Sequence, residues 1–225
     1  MPELFLEIGA EEIPARFMSL ALDYLEKEIP SFLKKNRIQA SEPRVMGSPR
    51  RLVISFDEVD NQQEDIVETH FGPNVKLAYD EKGAPTKSAL GFARGKGIDP
   101  SQLTLKKTPK GEVVCARIEK TGQPTATILN NFFPILISKI PFPKKMRWGN
   151  RETPFVRPLH WVVALFGSKP LNFSYEGIPC TDISRGHRFM HPDFFKVNGM
   201  DDYLKSCEKY FLMIDPVVRK KSIVD

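Results

Sequence analysis

The stretch LHWVVALF, residues Leu159 to Phe166, is a nearly continuous run of apolar side chains. A short apolar run bounded by turn residues predicts a central, buried strand. The GSKP sequence that follows predicts a turn, and Leu171 to Tyr175 is expected to return as the next strand. Further strands are predicted at Ile183 to Phe189 and at Phe194 to Val197. Much of the sheet is therefore expected in the second half of the chain.

The N-terminal part predicts a strand, a helix and another strand. Glu3 to Ile8 alternates between polar and apolar residues, which is typical of a strand. Residues 14 to 35 repeat apolar side chains at helical spacing, and Pro30 is expected to kink this helix or split it in two. RRLVISFDEV, from Arg50 to Val59, predicts the next strand, because its apolar residues alternate.

Helices are also predicted later in the chain. Thr125 to Ile140 has the composition of a largely buried helix, and Asp201 to Phe211 predicts another, followed by a short strand at Leu212 to Ile214. Asp215 resembles an N-cap, and Pro216 suits the first turn of a further helix. That helix has no stop signal, so we expect the chain to be part of a longer protein.

Residues 68 to 122 differ from their surroundings because they are rich in Gly and Pro. Pro85 to Arg94 predicts a short helix, and LTLKKTPKGEVVCARI predicts a hairpin with its turn at Pro109-Lys110-Gly111. We predict an α+β fold, with a mixed sheet, flanking helices and an inserted small α/β subdomain. The predicted domains are a main α+β domain, residues 1–67 plus 123–225, which continues beyond this chain, and the inserted subdomain, residues 68–122.

Composition narrows the possible classes of protein. The chain has 225 residues, of which 41% are hydrophobic and 27% charged, so it can bury a substantial core. No apolar run reaches the roughly 18 residues of a membrane helix, and no signal peptide is recognisable. The three cysteines and four histidines form neither a disulfide framework nor a metal-ligand pattern. We therefore expect a protein of the reducing cytoplasm without a metal site.

Motifs for catalysis are not found in the sequence. The chain has no GxxxxGK[ST] phosphate loop, no GxGxxG after a strand, no GxSxG and no HExxH. Glu7, Glu11 and Glu12 could suggest paired carboxylates, but adjacent residues on a helix do not face each other. We interpret Glu11 and Glu12 as charges that favour the positive N-terminus of the helix beginning near Pro14. No catalytic residue is predicted.

Basic and aromatic residues concentrate in PFPKKMRWGNRETPFVRPLHW, residues 141–161, and the net charge of the chain is +5. Interleaved cations and rings on loops are typical of single-stranded RNA contacts, because arginine binds phosphate and stacks on bases. The alternative is that each arginine pairs with a carboxylate or carbonyl and holds a loop. Trp161 lies inside the apolar strand and is interpreted as a core residue. The predicted contacts with tRNA or a partner subunit are Arg50, Arg51, Lys144, Lys145, Arg147, Trp148, Arg157, Arg185, His187 and Arg188.

Blocks of the sequence, taken in order, resemble the bacterial glycyl-tRNA synthetase beta subunit family. They are FLEIGAEEIP (5–14), SPRRL (48–52), GPNVKLAYDEKGAPTKSALGFARGKG (72–97), PFPKKMRWG (141–149), FVRPLHWVVALFG (155–167) and RGHRFM (185–190). Ala10 stands where the family usually has Thr, Ser88 replaces one of its alanines, and His160 stands where Arg is common. The resemblance covers nearly the whole chain, and ordered blocks of this length are specific.

The resemblance implies an α2β2 enzyme that attaches glycine to its tRNA with ATP and Mg2+. It places the catalytic core in a separate alpha subunit, so this chain would be a non-catalytic N-terminal region of the beta subunit with no cofactor of its own. Its implied partners are the alpha subunit and tRNA(Gly), and neither DNA nor a membrane is expected.

Two other classes remain open without the resemblance. One is a non-catalytic scaffold that binds RNA or protein through a basic surface. The other is an RNA-modifying enzyme, which would need a nucleophile. Cys180 is the cysteine nearest the basic blocks, but no base stands beside it in the sequence, which favours a structural thiol.

Overall fold

A computed structural model describes residues 1–109, 111–149 and 152–224. Its strands are β1 (Leu4–Ala10), β2 (Pro43–Ser48), β3 (Arg51–Phe56), β4 (Ile66–Asn74), β5 (Thr104–Thr108), β6 (Gly111–Lys120), β7 (Leu159–Phe166), β8 (Lys169–Pro170), β9 (Ser174–Tyr175), β10 (Ile178–Thr181), β11 (Ile183–Arg185) and β12 (Phe194–Lys196). Its α-helices are α1 (Ala15–Lys35), α2 (Val75–Ala78), α3 (Lys87–Lys96), α4 (Thr125–Lys139), α5 (Met200–Lys209) and α6 (Pro216–Val224).

Contacts between Cα atoms divide the chain into two compact units. Unit 1 is Met1–Gln63 with Gln123–Asp225, and unit 2 is Glu64–Gly122. Helices and mixed sheet occur together, which confirms the predicted α+β fold. The assignment of domains itself stays a prediction.

Unit 1 is built on a mixed sheet that has seven strands among the described residues, in the order β2-β3-β1-β7-β10-β9, with β8 paired to β7. β1 is antiparallel to both β3 and β7, whereas β10 is parallel to β7. The predicted strand LHWVVALF is β7, and it occupies an inner position as expected.

The inner strands of this sheet are buried on both faces. Leu6 and Ile54 belong to the core that the sheet forms with α1 and α4. Phe5 and Val53 belong to a second core, formed with α5 and β12 on the other face. Because successive residues of a strand point to opposite faces, both sets of positions must be apolar, which explains the nearly continuous apolar runs.

Helix α1 continues past Pro30 and is not split there. A proline inside a helix lowers the folding stability by roughly 3 kcal/mol, whereas burial of each large apolar side chain contributes about 1.5–3 kcal/mol. Apolar packing on both sides of the proline therefore outweighs the lost hydrogen bond. The buried residues of α1 repeat at helical spacing: Phe17, Ala21, Leu25, Ile29 and Leu33.

Several short strands differ from the prediction. Of the return strand expected at Leu171–Tyr175, only Ser174–Tyr175 is a strand, β9, which pairs with β10. The two-residue β8, which pairs with β7, lies in the predicted turn. β10 was not predicted, and the strand expected from Ile183 to Phe189 ends at Arg185. β2 was also missed, because its Pro43 and Gly47 weaken a strand pattern.

The predicted strand at Leu212–Ile214 was wrong, since no strand is present there in the described chain. Nη1 of Arg219 donates hydrogen bonds to the carbonyls of Met213, at 2.8 Å, and Ile214, at 3.3 Å. The side chain thus satisfies polar groups that a neighbouring strand would otherwise satisfy. Asp215 caps α6 as predicted, because its Oδ1 accepts from a backbone N–H at 2.7 Å.

Unit 2 contains an antiparallel sheet in the order β4-β6-β5, with α2 and α3 packed on one of its faces. The packing residues Ala78, Ala89 and Val114 are fully buried. The hairpin of β5 and β6 is present as predicted, although Lys110 of its turn lies outside the described residues. Helix α3 agrees in position with the predicted short helix and ends at Gly97, whose φ is +69°.

Gly9 in β1 lies directly beneath the indole of Trp161. A Cβ built on Gly9 would overlap the Trp161 ring, so the strand accommodates that ring only because this position has no side chain. By contrast, no described atom lies within 4 Å of a Cβ built on Gly95 in α3.

We predict that Gly9→Ala lowers the free energy of unfolding by about 1–3 kcal/mol, because the added methyl group overpacks the site. Urea denaturation measures the change. Gly95→Ala is the control and should raise stability by about 0.5–1 kcal/mol through helix propensity. The loss at Gly9 should shrink when Trp161 is replaced by Val, and equal losses in both backgrounds would contradict the overlap.

Candidate functional site

The predicted contact residues form two groups within unit 1. We call the first the Trp161 cluster, which comprises Arg50, Arg51, Arg185, His187 and Arg188 together with Trp161 itself. We call the second the basic loop, which comprises Lys144, Lys145, Arg147, Trp148 and Arg157. Arg151 of the same basic stretch lies outside the described residues.

Trp161 is the centre of the first group. The guanidinium carbons of Arg50, Arg51 and Arg185 lie 5.7, 5.1 and 5.2 Å from its ring centroid. Each such contact contributes about 0.5–2 kcal/mol. Trp161 is buried as predicted, but its contact with three arginines could not be inferred, because they come from separate blocks of the sequence.

A buried ion pair lies beneath this ring. Nε of Arg51 donates to Oε1 of Glu7 at 3.0 Å, and the hydroxyl of Tyr203 donates to the same oxygen at 2.9 Å. Nη2 of Arg51 also donates to the backbone carbonyls of Arg185 and Gly186. Burial, and then the charge of Glu7, raises the pKa of Tyr203 well above its ordinary value, so its hydroxyl keeps its proton. Arg51 is 2% exposed, so it organises the fold and presents almost no surface to a partner.

Glu11 links two members of the cluster, Arg50 and Arg188, to the neighbouring His160. Its carboxylate lies 2.8 Å from Nε2 of His160, 3.2 Å from Nη1 of Arg188 and 3.7 Å from Nη2 of Arg50. Partial burial acts to raise the pKa of Glu11, but these three cationic or donor groups outweigh it, and the pKa is lowered.

The interpretation of Glu11 as a helix-end charge was therefore wrong. The first turn of α1 contains no acidic residue, and the backbone N–H of Glu11 donates to the carbonyl of Pro158 at 2.9 Å. This bond keeps Glu11 beside the loop that precedes β7, which turns its carboxylate toward the arginines rather than toward the helix.

A cavity of about 330 Å³ opens beside the Trp161 cluster and is lined by Arg50, Arg188, Phe189 and Phe211, among others. Phe189 is 80% exposed, and the guanidinium of Arg188 lies 5.4 Å from its ring centroid. Phe211 is held at a φ of +58°, which is unusual for a residue with a large side chain. The sequence analysis missed both phenylalanines as site residues, and the only available signal was the position of Phe189 inside the RGHRFM block.

An apolar cavity of about 560 Å³ adjoins the first one and shares His187 and Phe211 with it. The shared His187 Nδ1 accepts backbone hydrogen bonds from Phe189 and Met190, so the ring is fixed by its own loop. Together the two cavities form a concave and mainly apolar surface. The other apolar lining residues include Met190, Leu204, Leu212, Met213 and Val218.

The basic loop is held in place by a backbone bridge. Met146 and Phe155 exchange hydrogen bonds of 2.7 and 3.0 Å, which brings residues 144–147 next to Arg157. Nη1 of Arg157 lies 3.2 Å from the carbonyl of Val156 and 4.0 Å from Sδ of Met146. Trp148 is half-buried against the main core, in agreement with a packing role.

Charge neutralisation separates the two groups. In the Trp161 cluster, Glu7 and Glu11 lie against three of the arginines. In the basic loop, Lys144, Lys145, Arg147 and Arg157 have no carboxylate within ion-pair distance among the described residues, and all four are exposed. Lys145 donates to the carbonyl of Ser138 at 3.3 Å, and partial burial lowers its pKa.

Cys180 and Cys207 do not fit a nucleophilic role. Burial raises the pKa of Cys180 to about 11 and that of Cys207 to about 12, so both remain protonated at neutral pH. Sγ of Cys180 donates to the carbonyl of Ala164 at 3.5 Å, which is a structural contact. Within the described parts of the chain, no three His, Cys, Asp or Glu side chains are grouped as metal ligands would be, and no helix is long and apolar enough to span a membrane.

Comparison with known proteins supports one family. A family model described as glycyl-tRNA synthetase beta subunit matches residues 4–225. A glycine–tRNA ligase beta subunit from Geotalea uraniireducens is 44% identical over 221 residues, which are 98% of this chain and 32% of that protein. The protein of the same name from Citrifermentans bemidjiense is 46% identical over 221 residues, with the same coverage of 98% and 32%. The chain thus spans about a third of the length of these relatives.

We predict that Arg51→Met lowers the free energy of unfolding by about 3–5 kcal/mol, because it leaves Glu7 buried without its cation. Arg188→Gln is the control, since Arg188 is half-exposed where it meets Glu11, and it should cost no more than about 1 kcal/mol. Urea titrations followed by tryptophan fluorescence distinguish them. Similar losses in the two variants would contradict a special role for the buried pair.

We predict that Glu11 stabilises the fold in a pH-dependent way. Because its pKa is lower in the folded protein, the contribution is present at neutral pH and is lost as the pH falls through the folded pKa. Glu11→Gln should lower the free energy of unfolding by about 1 kcal/mol at pH 7 and have little effect well below about pH 4. Denaturation curves at both pH values test this, and a loss of equal size at both would contradict it.

Proposed function

The chain belongs to the glycyl-tRNA synthetase beta subunit family, and we propose that it supports ATP-dependent attachment of glycine to tRNA(Gly) without catalysing the reaction itself. In this proposal it is the N-terminal region of a cytoplasmic beta subunit. A separate alpha subunit uses the ATP and Mg2+, and the residues of this chain hold the tRNA in position.

The unneutralised cations of the basic loop carry this proposal. A phosphate bound by Arg147 or Arg157 would not have to displace a carboxylate first, because neither side chain has an acidic partner among the described residues. Charge-assisted hydrogen bonds from guanidinium to phosphate are strong, and release of counterions adds to the affinity. The loop is also held by the Met146–Phe155 bridge, so little conformational entropy is lost on binding.

The Trp161 cluster is a weaker candidate for phosphate contacts. Arg51 pairs with Glu7, and Arg50 and Arg188 share Glu11, so phosphate would compete with ion pairs that hold the fold. We assign this cluster mainly to the support of the neighbouring loops.

A second candidate function, contact with another subunit, is favoured by the apolar surface beside the Trp161 cluster. Phe189, Met190 and Phe211 are 80%, 62% and 54% exposed around adjoining cavities. Exposed apolar patches of this kind mark interaction sites. We assign this surface to the alpha subunit, because relatives of this chain are named as the beta subunit of their enzyme.

The salt dependence of tRNA binding tests the first assignment. Each lost phosphate contact removes about 0.7–0.9 from the slope of log affinity against log salt. The double variant Arg147→Gln/Arg157→Gln should therefore bind tRNA(Gly) more weakly and reduce the slope by about one to two units.

Arg188→Gln provides the matched control, because it removes the same charged group from a site that has a carboxylate partner. It should change the slope less than the double variant does. A slope that is unchanged in Arg147→Gln/Arg157→Gln would overturn the assignment of the basic loop to tRNA phosphate.

A further inference from the structure

The sheet of unit 2 has one face without a helix on it among the described residues. Phe92 of α3 lies against Gly72 on the covered face. Phe71 of β4 pairs with Cys115, whose neighbour Val114 packs against the helices. The side chains of Phe71 and Cys115 therefore point to the opposite, open face. Phe71 is 56% exposed there, which is unusual for a phenylalanine in the middle of a strand.

Residues of all three strands surround Phe71 on the open face. Phe71 of β4 pairs with Cys115 of β6, and Cys115 in turn pairs with Thr104 of β5. Nζ of Lys106 lies 5.3 Å from the centroid of the Phe71 ring. Arg117 stands two residues beyond Cys115 on the same face, beside Thr69.

The composition of this face suits a flat, negatively charged molecule. Thr69 and Thr104 are short, and Cys115 is buried, so the Phe71 ring is not enclosed by larger neighbours. Lys106 and Arg117 place a cation on either side of the ring. The only described ion pair of Arg117 is with Glu119, at 3.7 Å between two largely exposed side chains, and such pairs are weak.

We propose that the open face of unit 2 binds one unpaired nucleotide of RNA, with its base stacked on Phe71 and its phosphates held by Lys106 and Arg117. A sheet that displays an aromatic ring between cations is a common platform for single-stranded RNA. This inference rests on the proposed function, which makes tRNA the RNA in question. The ammonium of Lys106 covers part of the ring in the free protein and moves to the phosphate when the base stacks.

A protein partner fits this face less well. The ring is the exposed aromatic of this face, and Val67, 45% exposed, is the other large apolar side chain exposed there. The remaining exposed neighbours are threonines and charged groups, whereas protein interfaces bury a continuous apolar centre. The charges of Lys106 and Arg117 favour a polyanion.

The test measures binding of the chain to tRNA(Gly) and to a labelled single-stranded RNA of about ten nucleotides. Phe71→Ala should weaken binding of the single strand by about fivefold to 150-fold, because one stacked base is lost. Phe71→Tyr should bind as the unchanged chain does, since it keeps the ring. Ultraviolet crosslinking should join a nucleotide to the peptide that contains Phe71.

Leu105→Ala is the matched control. Leu105 is 51% exposed on the same sheet but pairs with Val114 and so lies on the opposite face. It should leave RNA affinity unchanged. Lys106→Gln should weaken binding and lower the salt slope, whereas Phe71→Ala should leave the slope unchanged, because it removes no charge.

The outcomes separate this inference from the proposed function. If Phe71→Ala binds RNA within twofold of the unchanged chain while Arg147→Gln/Arg157→Gln lowers the salt slope, the platform is overturned and the basic loop stands. If Phe71→Ala weakens binding and the double variant has no effect, the platform stands and the basic loop is overturned. Equal losses in Phe71→Ala and Leu105→Ala would also overturn the platform, because they would come from general damage to the sheet.

Discussion

The buried pair of Glu7 and Arg51 is the contact on which the organisation of unit 1 depends. It joins β1 to β3, and Tyr203 brings α5 to the same carboxylate. Nη2 of Arg51 donates to the backbone carbonyls of Arg185 and Gly186. A buried charge is tolerated only when it is paired, so each of these elements constrains the others. The Trp161 ring packs against the guanidinium of Arg51, and Gly9 provides the room for this ring because it has no side chain.

This arrangement explains why separate sequence blocks share one place in the fold. The ends of β1 and β7, the turn before β3 and the loop after β11 meet around Trp161 and Glu11. The arginines of the Trp161 cluster contact mainly carboxylates and backbone carbonyls of the same cluster and its neighbouring strands. The cations of the basic loop have no carboxylate partner in the described chain. Because of this difference in pairing, rather than the number of arginines, we assign the tRNA contact to the basic loop.

The sequence predicted elements whose pattern is local. β7 was foreseen from its nearly continuous apolar run, α1 from apolar residues at helical spacing and α4 from its apolar composition. β2 and β10 were not, because their residues become strands only by pairing with neighbours that are already in place. The partners of Glu11 were hidden for the same reason, since Arg50, His160 and Arg188 lie far from it along the chain. The candidate residues could be chosen by type, but their division into neutralised and unneutralised groups required the structure.

Hydrogen exchange on the beta subunit, alone and with tRNA(Gly), tests the central claim most directly. The account predicts slower exchange in residues 141–149 and 155–158 and in β4 of unit 2 when tRNA is added. It predicts no change at residues 48–52 and 185–190, where Arg50, Arg51 and Arg188 already have carboxylate partners. Protection confined to 48–52 and 185–190 would contradict it, because the tRNA would then be held by the Trp161 cluster.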